Sequence, residues 1–146
     1  MNKTFLLGMI LALGFTFCSS GEQEVSSSGP QVSESSFQYY VASQAALAID
    51  NYDEAGAALE KLAAESTGDL KSLAEKATQA EDIESMRRSF IALSDQIAKM
   101  DLPEGYVVAF CPMANNSMGA NWVQKDGAIM NPYFGTAMQD CGSIER

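Results

Sequence analysis

Residues 83–100, Ile-Glu-Ser-Met-Arg-Arg-Ser-Phe-Ile-Ala-Leu-Ser-Asp-Gln-Ile-Ala-Lys-Met, carry the clearest periodic signal in the chain. Ile83, Met86, Phe90, Leu93, Ile97 and Met100 step by 3, 4, 3, 4 and 3 residues, which places them on one face of an α-helix. Weaker stripes of the same kind precede it. Phe37, Tyr40, Val41, Leu47 and Ala48 form one; Ala55, Ala58, Leu59 and Leu62 form another; Leu70, Leu73, Ala74 and Ala77 form a third. Asn51 followed by Glu54 reads as a helix start with a reciprocal acid, and Thr67-Gly68-Asp69 and Pro103-Glu104-Gly105 read as breaks. Helices joined by such short turns pack antiparallel. The expected fold is mainly α, a four-helix bundle at the N-terminal side followed by a small loop-rich α/β cap that carries a Cys/Met site.

The ends of the chain frame this block. Met1-Asn2-Lys3 is positively charged and Phe5 to Phe17 is an uncharged, largely apolar run, too short for a bilayer-spanning helix and suited to a secretory signal peptide. Cys18 stands at its end, where it resembles the lipidated cysteine of a bacterial lipobox; cleavage after Ser20 and an uncleaved anchor are the alternatives. Residues 19–36 are rich in serine and read as a flexible linker. The expected organisation is a signal peptide over 1–18 with lipidation at Cys18, a linker over 19–36 and one domain over 37–142. The protein is expected to be exported to the periplasm or cell envelope and held to a membrane through its lipid anchor.

Composition removes several function classes. The 146 residues include nine Lys plus Arg, nineteen Asp plus Glu and no histidine, a formal charge of −10. Nucleic acid demands a basic footprint that this chain lacks. Without histidine there is no Ser-His-Asp or Cys-His couple, and no nucleophile–base pair stands out, so an enzyme is not expected. Glu84 lies four residues before Arg88 in an ion-pair arrangement. Arg87 and Arg88 read as structural, with anion binding as the alternative, and Met86 and Met100 read as packing residues.

After Gly105 the texture changes. Tyr106 to Phe110 is β-branched and aromatic, a strand signal, and sulfur then accumulates at Cys111, Met113, Met118, Met130, Met138 and Cys141. Cys111 and Met113, two apart, share a side on an extended segment; Met138 and Cys141, three apart, share a face on a helical turn. Two thiolates and two thioethers would then converge as a soft set suited to Cu(I) or Ag(I), with Met118 and Met130 as second-tier candidates. Zinc would want more thiolates or imidazoles, and calcium or magnesium an oxygen cluster. From spacing alone, two cysteines 30 positions apart in an exported domain most simply form a Cys111–Cys141 disulfide, worth about 3–4 kcal/mol for a loop of this length, with metal ligation the alternative. No C-x-x-C pair is present to tune a reactive thiol. Asn131-Pro132 and Gly135 would shape the turn that brings Met138 and Cys141 back to Cys111, and Trp122 or Tyr133 would shield the site.

Phe110-Cys111-Pro112-Met113, Trp122 with Gln124, Asn131-Pro132-Tyr133-Phe134-Gly135, and Met138 with Cys141-Gly142 resemble a bacterial domain family of unknown function. That domain also occurs fused to periplasmic adaptor subunits of Cus-type copper/silver efflux pumps. The likeness spans roughly residues 37–142 and includes an Arg-x-x-Phe-like step similar to Arg87-Arg88-Ser89-Phe90. Val123 departs from it, standing where leucine commonly follows the tryptophan. The resemblance implies heavy-metal binding, with Cys111, Met113, Met138 and Cys141 at the motif positions, and an efflux adaptor or another envelope protein as partner. The expected function is a copper or silver carrier or sequestering module. The alternative is a disulfide-stapled envelope lipoprotein with a structural or protein-interaction role and no metal.

Overall fold

Ser33 starts the first helix. In the computed structural model, which describes residues 32–145, α1 spans Glu34–Ala48 and the Ser33 hydroxyl accepts the Ser36 amide proton at 3.2 Å. Ser36 is buried and its own hydroxyl reaches the Glu65 carbonyl. The folded unit therefore begins before Phe37, and residues 34–36 of the expected linker belong to a helix. A tract of small polar residues looks like tether in sequence, but here its last serines cap and pack. The signal peptide, Cys18 and residues 19–31 lie outside the described residues.

The next helices follow their stripes. Asn51 and Glu54 form the expected reciprocal cap at the start of α2 (Tyr52–Glu65), with bonds of 3.2 and 2.8 Å. Helix α3 is Gly68–Thr78. Helix α4 is Ile83–Ile97, capped by Asp82, whose carboxylate accepts the Ser85 amide proton at 2.6 Å. Met100 falls in the turn after it and is half-buried. One charge pair differs from expectation: Glu84 holds Arg87 at 2.7 Å, and Arg88 instead donates to the Ser85 hydroxyl at 2.9 Å. Arg87 sits one position after buried Met86 and three before buried Phe90, so its guanidinium lies on the core face, where it requires a partner.

The remainder forms a three-stranded antiparallel sheet, β1 (Tyr106–Cys111), β2 (Ala120–Lys125) and β3 (Ser143–Ile144), in the order β2-β1-β3. Its register sets Ala109 opposite Trp122 and Cys111 opposite Ala120. The sheet shares the helical core, because β2 lies against both α1 and α4. Tyr40 of α1 stacks on Phe90 of α4 at 5.3 Å between ring centres, exchanges a hydrogen bond with Ser94, and accepts the Val123 amide proton of β2 at 2.9 Å. The Tyr133 hydroxyl donates to the Asn121 carbonyl on the same strand. Burial pushes both phenols' pKa values well up, so both stay protonated. Between β1 and β2, Asn115, Asn116 and Ser117 all have φ between 53° and 64°, making a left-handed turn.

Arg87 joins three parts of this fold. It is 5 % exposed; it donates to the Leu47 carbonyl at the end of α1 (2.8 Å), the Pro132 carbonyl of the C-terminal loop (3.0 Å) and the Asp50 carboxylate (2.5 Å). Asp50, with φ of 60°, also accepts from the Thr136 amide and hydroxyl. Gly135, at φ 57°, passes so close that a Cβ there would overlap Asp50 and Arg87.

Replacing Arg87 by methionine strands two buried carbonyls and is expected to cost about 3 kcal/mol of stability in urea unfolding. The Thr136 hydroxyl, with the Arg87 guanidinium, holds the Asp50 carboxyl down at about 2. Its contribution is present above the unfolded carboxyl range of about 4 and is lost as pH falls from there through the folded value. Unfolding midpoints measured across that interval should fall with acidification, and Asp50→Asn should flatten the fall.

Candidate functional site

Cys111 ends β1, wholly buried on the face it shares with Ala109 and, across the ladder, with Trp122 and Ala120. Cys141 arrives from the other end of the C-terminal loop through a turn in which its amide donates to the Met138 carbonyl at 3.1 Å. The two Sγ atoms stand 3.1 Å apart, as free thiols, Cys111 enclosed and Cys141 half-buried. Thirty residues of separation in sequence are thus reduced to direct contact.

The loop that makes this contact is pinned along its length. The Pro132 carbonyl and Thr136 are held by the Arg87–Asp50 pair, and the Gln139 side chain donates to the Ala48 carbonyl at 2.9 Å. Asn131, with no exposed surface, donates its amide side chain to the Cys141 carbonyl at 2.7 Å and accepts the Tyr133 amide proton at 2.8 Å. Gly142, at φ 137°, lies on Trp122: a Cβ there would stand 2.7 Å from the indole Cη2 and 2.8 Å from the Phe110 carbonyl oxygen. Trp122 and Tyr133 meet edge-to-face at 5.9 Å. Asn131, Pro132 and Gly135 thus lie in the loop that brings Cys141 to Cys111.

The methionines are disposed differently. The strand stops at Cys111 and Met113 adopts helical backbone angles (φ −85°, ψ −18°) with its side chain 51 % exposed. The extended geometry that would put Met113 on the same side as Cys111 is therefore absent, because Pro112 and the left-handed turn redirect the chain. Met113 instead borders a groove of about 350 Å³ with Arg88, Ile91, Asn115, Asn116 and Phe134. Met118 is 71 % exposed. Met138 is half-buried and tied to Cys141 by the turn, although its own φ of −148° and ψ of 51° are not helical. Met130 is half-buried, with its amide on the Gln124 side chain and its carbonyl on Gln44.

Gln44 and Asp50 were not singled out by the sequence reading, and Gln124 entered it only as the motif residue paired with Trp122, although each positions this region. Gln124 offered one signal: on a strand it shares a face with Trp122 two residues earlier, and its side chain accepts the indole N–H at 2.9 Å. Among the described residues no three His, Cys, Asp or Glu side chains converge as a metal cluster. A bound ion would therefore rely on the two thiols and on thioethers.

No family model, curated protein or solved structure matches the chain. The site's own chemistry is what remains to be read. The hydrogen bond with Cys111 favours the neutral form of Cys141, and with desolvation and the nearby Cys111 and Asp140 charges it pushes the thiol up to about 11. At neutral pH Cys141 is protonated and a weak nucleophile. Mass-spectrometric alkylation of the reduced protein should show Cys141 reacting slowly at pH 7, with a rate that rises about tenfold per pH unit until its pKa is approached. Cys111 should react only when the protein is unfolded.

Proposed function

We propose that this protein is an exported carrier or sequestering module for a soft monovalent ion, Cu(I) or Ag(I), held to the cell envelope through lipidated Cys18. The observation that carries the reading is the direct contact between the Cys111 and Cys141 sulfurs. Soft thiolate and thioether donors without imidazole suit these ions better than zinc or hard cations. Cys111 and Cys141 would hold the ion, Met138 would stand nearest in the chain to complete its shell, and Met113 would be the outer member of the set. Met118 and Met130 remain second-tier ligands. The scaffold is read as a four-helix bundle whose sheet carries the sulfur site. The receiving partner would be an efflux adaptor or another envelope protein, the class implied by the resemblance of the C-terminal motif, and the protein itself would perform no catalysis.

One observation favours a second reading. Two thiolates on a tetrahedral ion, each about 2.3 Å from it, stand nearer to 3.8 Å apart, whereas these sulfurs are 3.1 Å apart. That proximity suits a structural disulfide in an envelope lipoprotein that binds no metal.

Anaerobic titration of the reduced protein with Cu(I) separates the two. The metal reading expects one tight equivalent, competitive with a moderate Cu(I) chelator and lost in the Cys111→Ser, Cys141→Ser double variant. Failure of the reduced protein to compete with that chelator rejects it, and an intact mass two hydrogens short in the native protein then supports the disulfide.

A further inference from the structure

We infer that Asn131 is the positioning residue that sets how closely Cys141 approaches Cys111, and with it the balance between the dithiol and the disulfide. The inference deepens the reading of the two cysteines as one site, and it holds whether or not that site takes a metal.

Cys111 is fixed by the β1–β2 ladder, so the separation of the sulfurs depends on where the C-terminal loop leaves Cys141. Asn131 closes that loop three times. Its backbone amide donates to the Gln139 carbonyl at 2.8 Å, its side-chain amide donates to the Cys141 carbonyl at 2.7 Å, and its side-chain oxygen accepts from the Tyr133 amide at 2.8 Å. The second bond acts on the peptide unit of Cys141 itself. The Gln139 side chain's bond to the Ala48 carbonyl and the Thr136 amide's bond to Asp50 hold the loop to α1 and the turn after it without touching Cys141, whose other ties are its amide bond to Met138 and the pairing of Ser143 with Phe110 two residues on. With no exposed surface, Asn131 has no water to replace a lost partner, so its side chain enforces one loop closure. Clear of solvent and carrying no charge, it is placed to act through geometry.

The reaction that reads this geometry is thiol–disulfide exchange with glutathione disulfide. Cys111 and Cys141 give up two protons and two electrons as one S–S bond forms between them; the S–S bond of glutathione disulfide breaks, and two molecules of reduced glutathione carry away the protons and electrons. The equilibrium constant is the effective concentration of one thiol at the other.

The test equilibrates the full chain in glutathione buffers of varied ratio, quenches with acid, and counts free thiols by mass. Asn131→Asp, ionised, keeps the acceptor for Tyr133 and loses the donor to Cys141; it is expected to lower the effective concentration severalfold, at most about tenfold, the scale of one buried hydrogen bond. Gln139→Ala, which loosens the loop elsewhere, is expected to stay within about twofold of the parent. Circular dichroism and thermal unfolding check that each variant is folded, and Asn131→Gln, which keeps a donor, provides a second variant should Asn131→Asp fail to fold, expected to lower the value because its longer side chain misplaces that donor. A folded Asn131 variant with the parent's equilibrium, or a Gln139→Ala shift as large as that of Asn131→Asp, overturns the inference. Because no metal is present, a failed Cu(I) titration leaves this result standing, and the converse also holds.

Discussion

The Arg87 guanidinium is the interaction on which the other parts of the fold depend. A cation with this little exposure is tolerated only when its donors are satisfied, and the satisfying groups come from three separate segments: the end of α1, the first turn of α4 and the loop after β2. Meeting that requirement fixes where the loop crosses the helices. The constraint then runs outward from the Pro132 carbonyl, through Asn131, to the peptide of Cys141. A charge in the helical half is thus linked through the Pro132 carbonyl and Asn131 to the peptide of a cysteine in the sheet half, although the two never touch.

The helices were legible because their signal is local. Apolar spacing and caps such as Asn51 with Glu54 are written within a few residues of where they act. The start of α1 was misplaced by three residues because Ser33 and Ser36 differ in no visible way from the serines before them; only the distant Glu65 carbonyl makes the difference. Likewise, Glu84 can reach Arg87 or Arg88 from sequence alone, and burial of Arg87 decides the choice. The sheet was seen through β1, whereas the two-residue β3 is too short to leave a pattern.

At the candidate site the gathering of sulfur was legible, and its direction was not. The loop that brings Cys141 to Cys111 is anchored to α1 and the turn after it by Gln139 with Ala48 and Thr136 with Asp50, partners far apart in the chain, and is closed on itself by Asn131. The outward turn of Met113 follows from three successive residues in a left-handed conformation. Such a run costs about 1–2 kcal/mol per non-glycine residue, although asparagine bears it better than most. Periodicity rules that assume a strand continues cannot register that cost. The site that emerges is a buried thiol met by a less buried one on a loop held by neutral amides.

The two tyrosine hydroxyls on β2 bear on how the molecule behaves among its own copies. β2 is one of the two outer strands of the sheet, and an outer strand with free amides and carbonyls invites a second chain to extend it. Here the Val123 amide is taken by Tyr40 and the Asn121 carbonyl by Tyr133. These bonds fall on the side of the strand that faces α1 and α4 instead of a neighbouring strand. The phenols thus take up, from within the same chain, two of the edge groups that another strand would otherwise pair with.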